Sequence, residues 1–291
     1  MKKIAVALFV LVTSTWALAV ELSDDALQIL ITNFAYDVSF PLNARLVGTD
    51  NFNEYKIERI VFDSFHNGAV PGFLVLPITG NAPYPVVLLM HGITSNKSSW
   101  LKDGFSHGSL VTKGLLDEGY AVMALDAQYH GERSVYNDYI DVGDMVFRHK
   151  WRFRYANMMT QSIVDYRRAI DYLASREDID INRVGINGYS MGGHMTFILA
   201  ANEPRVKAVV GCVVPATPGW AMEALTFAPY MDKTALLMMM ARKDIYYTVE
   251  DAQKLYDRVA GKNKTLKLFN SGHSLPPEYA GEVVDWLSQN L

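Results

Sequence analysis

The sequence predicts an α/β protein with one mostly parallel central sheet of about eight strands and helices on both faces. Short runs of consecutive apolar residues recur along the chain, which is typical of strands buried on both faces of a parallel sheet. From about residue 86 onward, segments with helical spacing of apolar residues separate these runs, as in successive βαβ units. No linker or low-complexity segment interrupts 20–291, which predicts a single domain.

Each element follows from where an apolar run or a helical period begins and ends. A first helix over 26–35 follows Ser23, a residue type that commonly caps helix N-termini. Strands are predicted at 55–62, 72–76, 86–90, 120–126, 183–187, 206–214, 236–240 and 265–269. Further helices are predicted at 109–118, 159–175, 191–201, 249–259 and 278–289.

The composition excludes several classes of protein. Half of the 291 residues are hydrophobic and 20% are charged, which suits a globular domain and excludes collagen, coiled-coil arrays and disordered chains. The net charge of -4 argues against a nucleic-acid partner, because proteins that bind nucleic acid are usually basic. The single cysteine, Cys212, excludes an intrachain disulfide and a multi-cysteine zinc site. Its place in an apolar run predicts a buried strand residue.

The first 19 residues have the organisation of a secretory signal peptide. Lys2 and Lys3 precede an apolar run over 4–12, and Ala17 and Ala19 form a small-residue cleavage signal. The apolar run is short for a membrane span, although an uncleaved anchor is the alternative. We therefore expect a mature chain of 20–291 in the periplasm or outside the cell, without stable membrane insertion.

A G-x-S-x-G pentapeptide spans 188–192, between a predicted strand and a predicted helix. This context indicates a sharp turn that lifts the hydroxyl of Ser190 above the sheet edge, so Ser190 is the predicted nucleophile rather than a helix cap. The turn also aims the N–H of Met191 at a developing oxyanion. A second donor is predicted at the N–H of Ile93, which follows Gly92 in the loop after strand 86–90.

A serine nucleophile needs a base, and the base needs a carboxylate to orient it. On folds with this turn, the chain order is serine, acid, histidine. His273 directly follows the last predicted strand, and Asp244 follows the strand before it, so both are predicted at the same sheet edge as the serine. We expect His194, in the helix after the pentapeptide, to be a packing residue, and His91 and His130 to be structural.

Together these residues make the chain resemble the α/β-hydrolases, within their dienelactone-hydrolase-like and acetyl-esterase-like serine esterases, over roughly 55–291. The resemblance rests on His91-Gly92, the pentapeptide with the glycine after it, Asp244, His273, and the aspartate-to-glycine loop at 126–134. It implies the α/β-hydrolase fold, Ser-His-Asp catalysis and hydrolysis of small esters, a mechanism that needs no metal or organic cofactor. It departs from true dienelactone hydrolases, whose nucleophile is a cysteine.

The segment 129–160 is predicted to be an insertion or cap near the active site. It lies at the carboxyl edge of the sheet, where open α/β sheets bind their ligands, and it combines aromatic residues with basic residues at 148–154. We expect Tyr129 and Trp151 to contact substrate, together with Trp220 from a second segment. The alternative is an extra helix with an aromatic core face and a solvated basic face.

The sequence thus predicts an exported serine carboxylesterase that acts through an acyl-enzyme on small, short-chain acyl esters. Two related activities stay open, an acetyl or feruloyl esterase acting on plant polysaccharide and a serine peptidase. A non-catalytic binding protein of the same fold is disfavoured, because such proteins usually lack a member of the triad. The predicted partner is a small-molecule ester, and the oligomeric state is left open.

Overall fold

Nine strands form the sheet in the computed structural model, which describes residues 23–65, 68–78, 80–220 and 222–291. They are β1 (Arg45–Asn51), β2 (Tyr55–Asp63), β3 (Ala69–Pro77), β4 (Tyr84–Met90), β5 (Ala121–Leu125), β6 (Ile179–Tyr189), β7 (Val206–Cys212), β8 (Ala235–Ala241) and β9 (Lys264–Phe269). Their order across the sheet is β1-β2-β3-β5-β4-β6-β7-β8-β9. The pairs among β1, β2, β3 and β5 are antiparallel, and β5 onward is parallel. The predicted signal peptide lies outside the described residues.

Helices cover both faces of this sheet. They are α1 (Asp24–Thr32), α2 (Gly108–Asp117), α3 (Arg152–Ala174), α4 (Met191–Asn202), α5 (Ala224–Phe227), α6 (Val249–Arg258) and α7 (Tyr279–Asn290). Helix α4 packs on α3 and on strands β6 and β7, whereas α2 packs on α7. Within the described ranges, no helix is both long enough and apolar enough to cross a bilayer.

The α/β class and the mostly parallel sheet of about eight strands are confirmed, and the sheet has nine strands. The additional strand is β1, which was not predicted. It lies at the sheet edge and is largely exposed, so its sequence has no alternation of buried apolar residues. Its pairing with β2 also has a register shift between Leu46 and Gly48. By contrast, β7 and β8 are buried along nearly their whole length, and Cys212 is fully buried in β7 as predicted.

The carboxyl ends of the parallel strands meet at one edge of the sheet, and the segment 129–160 lies beside that edge. It contains a 3-10 helix over Gly131–Asn137 and a π-helical turn over Asp144–Arg148, and it continues into α3. Helix α3 begins seven residues before its predicted start at residue 159. Only its first turn, over 152–154, is exposed or half-buried and carries two arginines, and the buried side chains of the helix begin at Tyr155.

Candidate active site

Ser190 occupies a strained turn between β6 and α4, and we call the residues 188–192 around it the elbow. Its φ of 57° and ψ of -115° lie in a region that residues with a side chain rarely adopt. The turn is held because the Ser190 N–H donates to the Cys212 carbonyl at 2.9 Å. Glycine is required at Gly192, since a Cβ there would overlap the Met90 carbonyl. The sequence therefore permits α4 to start against β4, and this packing fixes the serine hydroxyl at the sheet edge.

The structure brings the three predicted catalytic side chains into one hydrogen-bonded chain. His273 lies in the loop after β9, and its Nε2 is 2.8 Å from Ser190 Oγ. Its Nδ1 is 2.7 Å from Oδ2 of Asp244, which follows β8. With Nδ1–H donating to the carboxylate, Nε2 has a free lone pair that can accept the serine proton.

The carboxylate of Asp244 is held in its charged form. Burial opposes ionisation, but the hydrogen bond with His273 and the N–H of Tyr246, which donates to Oδ1 at 2.9 Å, outweigh it. The Tyr247 hydroxyl contributes in the same direction. The pKa of Asp244 is therefore below its ordinary value, so a charged acceptor fixes the imidazole at neutral pH.

Tyr189 braces the loop that carries the histidine, and sequence reasoning did not find this role. Its hydroxyl donates to the His273 carbonyl at 3.0 Å and accepts from the Leu275 N–H at 2.8 Å. The ring is almost fully buried and meets Tyr279 edge-on, with 5.8 Å between centroids. One elbow residue thus joins the nucleophile to the base loop, and no local pattern could reveal a contact across 84 positions.

Both predicted oxyanion donors line the same cavity as Ser190. Met191 is the first residue of α4, so its N–H has no acceptor within the helix. The N–H of Ile93, in the loop after β4, has no hydrogen-bond acceptor among the residues that the structure describes. Their part in stabilising an oxyanion stays a prediction.

Two histidines tie the loop of Ile93 to the loop after β5. The Ala127 N–H donates to His91 Nε2 at 3.0 Å, and a ring nitrogen of His130 lies 2.9 Å from the Ile93 carbonyl. Burial is the main cause that lowers the pKa of His91 to about 3, and the neighbouring His130 acts in the same direction. The His91 ring therefore stays neutral and can accept a hydrogen bond. Lys97 and Asp126, both nearly buried, join the same two loops by an ion pair of 2.6 Å. These contacts agree with the structural roles expected for both histidines.

The cavity above Ser190 has a volume of about 950 Å³. Five of the residues that line it carry hydroxyl groups, and we call this set the hydroxyl wall: Thr94, Ser95, Ser98, Ser99 and Ser106. Residues of the segment 129–160 and of the loop after β7 also line the cavity, and they combine apolar and cationic side chains. Among the described residues, no group of three or more His, Cys, Asp or Glu side chains could hold a metal ion.

The structure separates the three predicted substrate contacts. Trp220 lines the cavity, whereas Tyr129 and Trp151 are not on its wall. The rings of Tyr129 and Trp151 lie 5.4 and 5.6 Å from the guanidinium of Arg154, and Trp151 also stacks on His149. These stacking contacts keep both rings in the packing of the segment itself, so the placement expected for them is corrected.

The fold and the elbow define the class of protein: a nine-stranded, mostly parallel sheet with a serine at a strand-to-helix turn is an α/β-hydrolase fold. The model of the dienelactone hydrolase family matches residues 70–279, and the chain belongs to that family. The elbow residue here is Ser190, where true dienelactone hydrolases have a cysteine.

Individual relatives are distant. The chain is 29% identical over 177 residues to YtaP of Bacillus subtilis (strain 168), which is named as a hydrolase, and this match covers 58% of the chain and 56% of YtaP. It spans between 30% and 62% of the length of the first three curated relatives it matches. The solved structures that share its fold include two esterases that match most of the chain. A cold-adapted esterase from an Arctic intertidal metagenomic library is 24% identical with a TM-score of 0.69, over 85% of this chain and 99% of that one. An acetyl xylan esterase from Paenibacillus sp. R4 is 18% identical with a TM-score of 0.68, over 92% and 93%.

Proposed function

We propose that this chain is a serine carboxylesterase that hydrolyses small esters with short acyl chains. The observation that carries this proposal is the chain of contacts from Ser190 Oγ through His273 to Asp244, at 2.8 and 2.7 Å, on a strained elbow that opens into a cavity. Membership of a hydrolase family supports it. The cavity volume falls in the range of small-molecule sites.

The proposed mechanism follows from the position of each group. His273 accepts the proton of Ser190 as Oγ attacks the ester carbonyl, and Asp244 stabilises the imidazolium that forms. The N–H groups of Met191 and Ile93 donate to the oxyanion, an interaction that contributes about 3 kcal/mol per donor in other hydrolases. His273 then protonates the departing alcohol. It next activates the water that cleaves the acyl-enzyme and returns the proton to Ser190.

An acyl-chain-length series of p-nitrophenyl esters tests this proposal, with wild type, Ser190→Ala and the surface control Ser175→Ala. We expect highest kcat/KM for short acyl chains and a loss of about 10⁴-fold or more in Ser190→Ala. Ser175→Ala should match wild type, because this exposed residue caps the C-terminal end of α3, opposite the end at which Arg152 lines the cavity. Full activity in Ser190→Ala would refute the nucleophile, and cleavage of peptides without esters would refute the esterase.

A second candidate is an acetyl or feruloyl esterase that acts on plant polysaccharide. The hydroxyl wall favours it, since serine and threonine side chains can hydrogen-bond the hydroxyl groups of a sugar. Incubation with acetylated xylan, assayed for free acetate, and with feruloylated arabinoxylan, assayed for free ferulate, tests this activity. Release by wild type and not by Ser190→Ala is the supporting result, and no release would leave the small-ester activity alone.

We also propose that the chain is exported to the periplasm or beyond through residues 1–19. Intact-mass analysis of protein from the periplasmic fraction should find a chain that begins at Val20. A full-length chain in the cytoplasm would contradict the proposal.

A further inference from the structure

The imidazole of His273 lies beside two aromatic rings that line the same cavity. The ring centroid of Tyr246 is 4.6 Å from that of His273, with 67° between the two planes, and the centroid of Phe105 is 6.0 Å away at 40°. The side chain of His273 is only 14% exposed, whereas Phe105 is 62% and Tyr246 37% exposed. These two rings, which we call the aromatic bracket, therefore stand between the imidazole and solvent.

Hydrogen bonds of the backbone hold both rings of the bracket in place. The N–H of Tyr246 donates to Oδ1 of Asp244 at 2.9 Å, and its carbonyl accepts from the N–H of Ala216 at 3.2 Å. The carbonyl of Phe105 accepts from the hydroxyl of Ser274, the residue after the histidine, at 2.8 Å. Each ring is thus fixed relative to the acid or to the loop of the base.

Phe147 joins the bracket to the segment 129–160. Its ring stacks on that of Tyr246, with 5.9 Å between centroids and 29° between planes. It belongs to the π-helical turn over Asp144–Arg148, and its side chain lines the cavity. The segment 129–160 therefore reaches the imidazole of His273 through two stacked rings.

This arrangement bears on what a catalytic histidine must do. Nε2 of His273 has to stay on Ser190 while Nδ1 stays on Asp244, and rotation of the side chain to another staggered rotamer would break both contacts. A neighbouring ring removes the space for that rotation. A cation within about 6 Å of an aromatic centroid is also attracted to the ring, so the bracket favours the imidazolium over the neutral imidazole. That charge develops as the serine proton is transferred, which makes the attraction strongest in the transition state.

We propose that Tyr246 is a positioning residue of the triad. Its ring, together with Phe105 and with Phe147 stacked behind it, keeps the imidazole of His273 on Ser190 and stabilises the charge that forms there. The inference rests on the proposed esterase function. It gives the segment 129–160 an influence on the rate of the reaction, through Phe147, in addition to its place on the cavity wall.

Truncation of the rings tests the effect on turnover of p-nitrophenyl acetate, whose acyl group is small. Tyr246→Leu should lower kcat by about 10-fold, and Phe147→Leu by about 3-fold. Tyr246→Phe should recover most of the loss, because it keeps the ring that contacts the imidazole. The matched control is Phe153→Leu, a change of the same kind at an exposed residue of the same segment that does not line the cavity, and it should keep the wild-type kcat.

Proton NMR of the free enzyme separates positioning of the base from contact with substrate. The proton between Nδ1 of His273 and the carboxylate of Asp244 should give a far-downfield signal that is absent from His273→Ala. We expect this signal in wild type, Tyr246→Phe and Phe153→Leu, and its broadening beyond detection in Tyr246→Leu at an unchanged melting temperature. If Tyr246→Leu does not fold, Phe147→Leu, with a weakened signal and lower kcat than Phe153→Leu, gives the same comparison.

Two results would overturn the positioning role. One is a wild-type kcat in Tyr246→Leu, and the other is a lower kcat with an intact signal, which would mean that the ring only contacts substrate. Because the signal needs no turnover, the esterase proposal is judged separately. Ester hydrolysis that Tyr246→Leu retains in full would refute the bracket and leave the esterase standing. A signal that depends on the ring, in a protein that cleaves no ester, would do the reverse.

Discussion

The elbow between β6 and α4 and the segment 129–160 meet in one cavity but are built in opposite ways. At the elbow, Ser190 is 9% exposed, its backbone is strained, and the surrounding helix is buried on all sides. The segment 129–160 instead has exposed aromatics, such as Phe153 at 87%, and basic side chains at the cavity. Close packing therefore fixes the groups of the proposed chemistry, whereas exposed side chains of the segment 129–160, such as Lys150 and Arg152, line the space that a substrate enters.

The largest effect should come from the acid that orients the base. Asp244→Asn places an amide against Nδ1 of His273, favours the wrong tautomer and should lower kcat by about 10³- to 10⁴-fold. The control is Asp251→Asn on α6, where the carboxylate only caps a helix. Steady-state kinetics on a p-nitrophenyl ester measure both. If Asp244→Asn kept wild-type kcat, the elbow side of the comparison would fail.

A smaller effect is expected from removal of the Tyr189 hydroxyl, which holds the loop of His273 in place. Tyr189→Phe keeps the ring but leaves the His273 carbonyl and the Leu275 N–H without their partner, and we expect about 10-fold lower kcat with little change in KM. Tyr279→Phe is the matched control, because its hydroxyl donates to the Ser106 carbonyl instead. Equal kinetic losses in the two variants at equal melting temperature would show general packing rather than positioning of the base.

The buried helix α4 should also make stability depend on pH. Burial lowers the pKa of His194 to about 4, although its hydrogen bond with the Met222 carbonyl opposes the shift. The folded chain therefore keeps His194 neutral where the unfolded chain binds a proton, so stability falls as the pH decreases from about 6.5 to 4. His194→Gln should flatten this decline by about 1 kcal/mol per pH unit, as measured by urea unfolding. An unchanged slope would contradict a neutral buried imidazole.

The smallest effect is expected within the exposed segment. Arg154→Gln removes the cation between Tyr129 and Trp151, and we expect a loss of about 0.5–1 kcal/mol in unfolding free energy. Urea unfolding beside Arg148→Gln measures the difference. A loss above about 3 kcal/mol would mean that the segment is built like the core, and the contrast with the elbow would disappear.

Predictions from the sequence succeeded where a buried part of the structure requires a recognisable pattern of neighbouring residues. The pentapeptide around Ser190 and the apolar strands before Asp244 and His273 are such patterns, and the structure brings these three side chains together. Predictions from the sequence failed where contacts join segments that are far apart along the chain. The basic run was visible in the sequence, but its letters do not show that Arg152 faces the cavity while Arg154 lies between two rings. The exposed edge strand β1 carries no periodic signal at all.

The most direct test of the account is covalent labelling of the nucleophile. Wild type is treated with a fluorophosphonate, which reacts with activated serine hydroxyls, and peptide mass spectrometry locates the adduct. The account predicts one equivalent of label, on Ser190, and at least about 100-fold slower labelling in His273→Ala, because the serine then lacks its base. Labelling of another residue, or equal rates in the two proteins, would contradict it.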